Sequence, residues 1–162
     1  MATKWRRTVR DRNSKKVARL SRIPLFEGLS RHDLEAIARH ADIVDLPPKR
    51  VLACPGQLGL EFVVLLKGQA SVRRQGQTVT CLAAGDCFGE KSCLDRKPRD
   101  TQVVADTAVT LAVFPVCAFD YLLNAVPTLS HRILLRLCRR LDEVASQAAS
   151  APVREPSANS RS

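Results

Sequence analysis

Residues 84–105, AGDCFGEKSCLDRKPRDTQVVA, decide how the rest of the chain is read. The stretch lies between two regions of short strands, where most connections are tight turns, and it is too long to be one of them. Gly85 and Gly89 permit close backbone approach and unusual dihedrals. Residues 89–94 predict a helical turn whose free N–H groups point into the loop, a natural anion cradle. Arg99 adds a planar, permanently charged fork suited to phosphate. Glu90 is a carboxylate beside that cradle. A carboxylate repels phosphate, so it must serve another group, and a sugar hydroxyl is the obvious one. Cradle, arginine and hydroxyl acceptor together describe a site for a phosphorylated sugar. A turn with an ordinary salt bridge has the same residues, so the chemistry alone leaves both readings open.

Outward from this stretch the pattern is one of short strands. Before it come Ile43 to Leu46, stopped by Pro47-Pro48, then Val51 to Cys54, Glu61 to Lys67, Ala70 to Arg73 and Thr78 to Leu82. Gly68 marks a bend, and Gln75-Gly76-Gln77 a hairpin turn. After it come Thr101 to Ala105 and Ala108 to Phe114. A helix precedes the strands: Ser30 is a good N-cap, Asp33 suits the first turn, and Leu34, Ile37, Ala38 and Ala41 recur at helical spacing. Two helices follow them, Val116 to Asn124 and a longer one begun by Pro127, a favoured first-turn residue. On the latter, Ile133, Leu137, Leu141 and Val144 form a seam that fits the domain itself or a second chain. The fold class expected is α+β, mainly β. It is an antiparallel β-roll or jelly-roll of about eight strands, flanked by an N-terminal helix and two C-terminal helices.

The motifs now resemble the phosphate-binding cassette of cyclic-nucleotide-binding domains, as found in the catabolite activator protein and in kinase regulatory subunits. That family's pattern is roughly Gly-Asp-x-Phe-Gly-Glu-x-(Ala/Ser)-Leu, a short gap, then Pro-Arg-(Ser/Thr/Ala)-Ala-(Thr/Ser)-Val-x-Ala. Here it reads GDCFGEKSC from Gly85, then PRDTQVVA from Pro98. IPLFEGLS, residues 23–30, resembles the family's entry to its first helix, and Pro55-Gly56 with Phe62 to Gly68 resembles its early strands. The resemblance implies a roll enclosing a cyclic nucleotide, cyclic AMP in preference to cyclic GMP, as a ligand rather than a cofactor. It implies that Arg99 grips the cyclic phosphate and Glu90 accepts from the ribose 2′-hydroxyl. Phe88, Gly89, Ser92, Asp100 and Thr101 complete the ligand-binding set. The last helix acts as a lid over the base, with Leu137, Arg140 and Leu141 as candidates there.

Asp100 departs from the pattern, which has a small or hydroxyl residue after the arginine. A carboxylate facing the phosphate at ~4–5 Å costs roughly 3–4 kcal/mol at an effective dielectric of ~20. A micromolar ligand is held by only ~8 kcal/mol. The direction of Asp100 therefore separates two functions. One is a cyclic-nucleotide sensor or regulatory domain acting through its C-terminal helices. The other is a degenerate fold without ligand that serves as a protein-interaction scaffold. Lys91, Cys93, Thr101 and Gln102 also differ from the pattern.

Charge divides the chain of 162 residues. Residues 1–22 hold nine basic side chains and one acid, whereas residues 23–162 hold 17 basic and 15 acidic ones. The expected organisation is a basic arm over 1–22, the binding domain over 23–147 and a disordered Ala/Ser/Pro-rich tail over 148–162. The arm suits non-specific nucleic acid or an acidic partner. Other partners expected are the cyclic nucleotide itself and an unidentified protein, or a second copy met through the last helix. The longest apolar run, Phe62 to Leu66, is five residues, so no membrane span is expected. The basic start is not read as a secretory signal, which points to the cytoplasm. About 15 residues follow Gln147, too few for a DNA-reading helix-turn-helix. Six cysteines without Cys-x-x-Cys spacing read as free thiols rather than metal ligands. Cys87 and Cys93, flanking the anion loop, are expected to be modestly acidic. With no nucleophile, base or metal constellation in the sequence, an enzyme is not expected.

Overall fold

The computed structural model describes residues 13–150. Its elements run α1 (Asn13–Leu20), a 3-10 turn (Pro24–Phe26), α2 (Arg31–His40), β1 (Asp42–Leu46), β2 (Val51–Ala53), β3 (Glu61–Lys67), β4 (Gln69–Arg74), β5 (Gln77–Ala83) and β6 (Cys87–Phe88). Then come α3 (Glu90–Asp95), β7 (Gln102–Ala105), β8 (Val109–Pro115), α4 (Val116–Ala125) and α5 (Pro127–Ala149). The strands form two antiparallel four-stranded sheets, ordered β1-β8-β3-β6 and β2-β7-β4-β5. The expected roll of eight strands with flanking helices is present.

Strand periodicity explains how one sheet serves two cores. Successive side chains in a strand point to opposite faces. In the first sheet Ile43, Phe62, Val64, Cys87, Ala112 and Phe114 face the helices. Their neighbours Val44, Val63, Leu65, Phe88, Leu111 and Val113 face the second sheet across the roll. Both faces are covered, so β3 and β8 carry unbroken apolar runs instead of alternation. The second sheet has one wet face, and β5 is exposed along most of its length. On the helical side Phe62 stacks near Phe114 and Phe119, with ring centroids 5.8 and 4.7 Å apart. Leu20, Phe26, Ile37, Leu122, Leu129 and Ile133 close this core.

The turns follow local chemistry. Ser30 Oγ accepts from the Asp33 amide at 3.1 Å, the N-cap that the sequence predicts for α2. Gln75 and Gly76 take positive φ between β4 and β5, as a tight hairpin turn requires.

Helical structure continues past both expected edges of the domain. The arm expected over 1–22 is helical from Asn13, and Leu20 is fully buried in the helical core. The Lys16 ammonium donates to the Ala41 carbonyl at 2.6 Å, tying α1 to the end of α2. Charge dominates the composition of this segment, but Val17 and Leu20, three residues apart, suffice to seat one helical face. At the other end α5 runs to Ala149, so the tail expected from 148 begins as helix. The rest of both expected segments lies outside the described residues.

Candidate functional site

The cassette begins where β6 pairs with β3, Phe88 opposite Val63. Gly89 then adopts φ 91° and caps α3. A Cβ here would lie 2.4 Å from the Glu61 carbonyl oxygen and 3.2 Å from both terminal nitrogens of Arg99. The absent side chain is what lets the guanidinium rest against the start of α3. The chain leaves α3 through Arg96 at φ 57°, and Pro98 bridges to Leu58. Arg99 is then fixed through its backbone: its amide donates to the Gln57 carbonyl at 2.9 Å, and its carbonyl accepts from the Gly56 amide at 2.8 Å.

The Arg99 side chain is 11% exposed. It donates to the Glu61 carbonyl at 3.0 Å, and its guanidinium carbon lies 5.9 Å from the Phe88 ring centroid. Glu61 Oε2, at 4.0 Å, is too distant to satisfy the fork. Among the described residues the five-donor fork makes one hydrogen bond, to the Glu61 carbonyl, which leaves it donors for an anion.

Glu90 is 1% exposed, although it opens α3. One of its oxygens is paired with the Arg140 guanidinium from α5. The other, Oε2, is buried with no hydrogen-bond partner. One turn earlier on α5, Arg136 pairs with Asp86 at 2.9 Å, and Asp86 also accepts from the Ala83 amide. Two arginines four residues apart thus fasten the last helix to both ends of β6.

Asp100 points away. Its carboxylate pairs with Arg74 of β4 at 2.9 Å, with the aspartate side chain 57% exposed. The carboxylate is thus engaged with β4, and an exposed pair of this kind is worth ~0–1 kcal/mol. Replacing Asp100 with alanine is expected to change ligand affinity less than ~3-fold and stability by under ~1 kcal/mol. Calorimetry and thermal melting check this, and a larger gain in affinity would mean that the carboxylate does reach the phosphate.

The structure brings Phe88, Gly89, Glu90, Ser92 and Arg99 together, with Ser92 buried on α3. Thr101 is half-buried just before β7. Of the lid candidates, Arg140 meets Glu90, Leu137 packs on the helical core, and Leu141 is 69% exposed. Sequence reasoning missed Gly59, where a Cβ would meet Ser92 Cβ at 2.6 Å and Arg99 Nε at 2.8 Å. Only its position two residues before the third strand hinted at it. Arg136 was missed as well. The expected acidity of Cys87 and Cys93 is corrected. Burial pushes both thiols up to about 12, and the nearby arginines do not offset it. Both stay protonated and poorly nucleophilic at neutral pH.

A family model described as "Cyclic nucleotide-binding domain" matches residues 43–125, from β1 to the end of α4. The chain belongs to the cyclic-nucleotide-binding-domain family. A cAMP-dependent protein kinase regulatory subunit of Pyricularia oryzae is 31% identical to this cyclic-nucleotide-binding domain over 115 residues. The match takes in 70% of the chain and 30% of that subunit, so the chain spans under a third of this relative's length. Among solved structures, the catabolite activator protein of Thermus thermophilus superposes with a TM-score of 0.70 at 26% identity. It covers 78% of this chain and 62% of its own. The regulatory subunit of a cAMP-independent protein kinase A from Trypanosoma brucei gives 0.73 at 22% identity, over 85% of this chain and 50% of its own. That last likeness is one of fold alone. No described helix is long and apolar enough to cross a membrane.

Proposed function

We propose that this domain is a cyclic AMP sensor, a regulatory element with no catalytic step of its own. The observation that carries the reading is Glu90. A carboxylate oxygen buried without a partner is costly, and native structures seldom tolerate one without a use. A ribose 2′-hydroxyl donating to Oε2 satisfies it, while Arg99, within the same cassette, takes the cyclic phosphate. The backbone at Gly89 and Ser92 lends further polar groups around the sugar. The name of the fungal relative supports cyclic AMP as the ligand.

The response runs through α5. Arg140 holds the same carboxylate that the ribose would use, and Arg136 holds Asp86 next to it. A ligand that changes the charge and hydrogen bonding around Glu90 changes how firmly α5 is fastened. Leu134, Leu141 and Val144 on α5 are more than half exposed, which suits a readout by a second copy or a partner protein. The second reading, an interaction scaffold without ligand, keeps the α5 face and gives up the cassette.

Isothermal titration of the full chain with cyclic AMP tests the proposal. Binding in the micromolar range is expected, with cyclic GMP weaker. A folded sample that takes up neither nucleotide at millimolar concentration would leave the scaffold.

A further inference from the structure

Away from the cassette a cleft of about 420 Å³ opens between the end of α1 and the roll. Its size is that of small-molecule sites. Arg19, Arg22 and Lys67 line it, together with Gly85 and Thr110, and none of its lining residues is acidic. The cations come from separate parts of the chain. Arg19 lies in the last turn of α1, where the helix dipole favours a positive charge. That does not account for Lys67, which β3 delivers to the same space from 48 positions further along. Arg22 and Lys67, both exposed, place like charges in one concavity, and an anion between them reverses the sign of their repulsion.

A neighbouring cavity of about 390 Å³ shares Lys67 and Thr110 and limits what fits. It is lined by Asp45, whose carboxylate accepts from the Thr110 hydroxyl at 2.7 Å, and by Leu46, Pro47 and Val109. An extended acidic chain continuing into it would meet that carboxylate and an apolar wall. A compact anion remains at the arginine end.

The cleft also touches the cassette from behind. Gly85 lets Pro24 approach closely, since a Cβ there would sit 3.2 Å from the proline ring. Gly85 donates to the Leu65 carbonyl at 2.8 Å, and the next residue is Asp86, the partner of Arg136. An occupant of the cleft therefore rests on the turn that holds one of the two fastenings of α5.

We infer that this cleft is a second ligand site, for a compact polyanion of the phosphate or polycarboxylate class, held by Arg22 and Lys67. The inference stands independently of the cyclic-nucleotide reading. Inorganic pyrophosphate is the probe, titrated calorimetrically at low salt into the full chain, with citrate in parallel to separate the two sources of charge. The variants are Arg22→Glu with Lys67→Glu, and Arg99→Ala. Arg22 and Lys67 are exposed and lie away from the apolar cores, and circular dichroism melting checks the fold of every variant, Arg99→Ala included. The wild type and Arg99→Ala are expected to bind alike, and the double variant at least ~10-fold more weakly, a factor equal to ~1.4 kcal/mol. Wild-type affinity in the double variant overturns the inference, as does affinity lost in Arg99→Ala. Absence of binding by the wild type to ~10 mM, a limit near the weakest affinities worth assigning, also overturns it.

Discussion

Replacing Arg99 with alanine is expected to remove measurable cyclic AMP binding while leaving the domain folded. A charge-assisted pair with phosphate is among the stronger polar contacts, and truncating one partner of a buried charged pair costs ~2–5 kcal/mol. That is ~30-fold to several thousand-fold in affinity, enough to carry a micromolar ligand past the millimolar range. The cost to the fold is smaller. The side chain gives one hydrogen bond to the Glu61 carbonyl and covers part of the Phe88 ring, so roughly 1–2 kcal/mol of stability should go. Arg99→Lys should recover little of the affinity, because an ammonium cannot reproduce the two-pronged fork. Titration calorimetry and melting of the same samples separate the two losses. Cyclic AMP held by Arg99→Ala as tightly as by the wild type would sink the cassette reading whatever the melting curve did.

The parts of this design legible in the sequence are those that obey local rules. Ser30 with Asp33, Pro127 at a helix start and the Gln75-Gly76 turn each depend on a few neighbouring residues, and each is where periodicity and cap chemistry put it. The cassette was legible for the same reason: its glycines, Glu90 and Arg99 lie within fifteen positions. Strand β6 was missed. Two residues, Cys87 and Phe88, show no period, and only their pairing with Val64 and Val63 makes them a strand.

What stayed hidden was set at long range. The partners of Asp86 and Glu90 lie 50 residues away on α5, where the sequence does not single out Arg136 and offers Arg140 only as a lid candidate over the base. The direction of Asp100 depends on Arg74, 26 positions earlier on another strand. A motif scored position by position counts Asp100 as a defect. The hairpin carrying Arg74 turns it into an outward ion pair.

Within the cassette, the largest structural effect expected belongs to Gly89. Gly89→Ala is expected to unseat the cassette and weaken the fold together. A non-glycine residue at φ 91° is strained by itself, at ~1–2 kcal/mol. Here strain is joined by collision, because the added Cβ would lie 2.4 Å from a backbone oxygen of β3, which no rotamer can relieve. Relief requires the chain at Gly89 to move away from β3, which also disturbs the guanidinium of Arg99, 3.2 Å from the same point. Overpacking of this kind adds ~1–3 kcal/mol. The sum, ~2–5 kcal/mol, lowers the melting temperature by roughly 5–15 °C for a chain of this size. Gly76→Ala is the control. It shares the positive φ, at 80°, but its Cβ would meet nothing within 4 Å. It should cost only the strain, ~1–2 kcal/mol, and leave cyclic AMP affinity unchanged. Equal losses in the two variants would mean that backbone conformation alone sets the cost. A cyclic AMP affinity that fell only in Gly89→Ala would tie the missing side chain to the seating of Arg99, since the two glycines otherwise differ chiefly in what stands beside them.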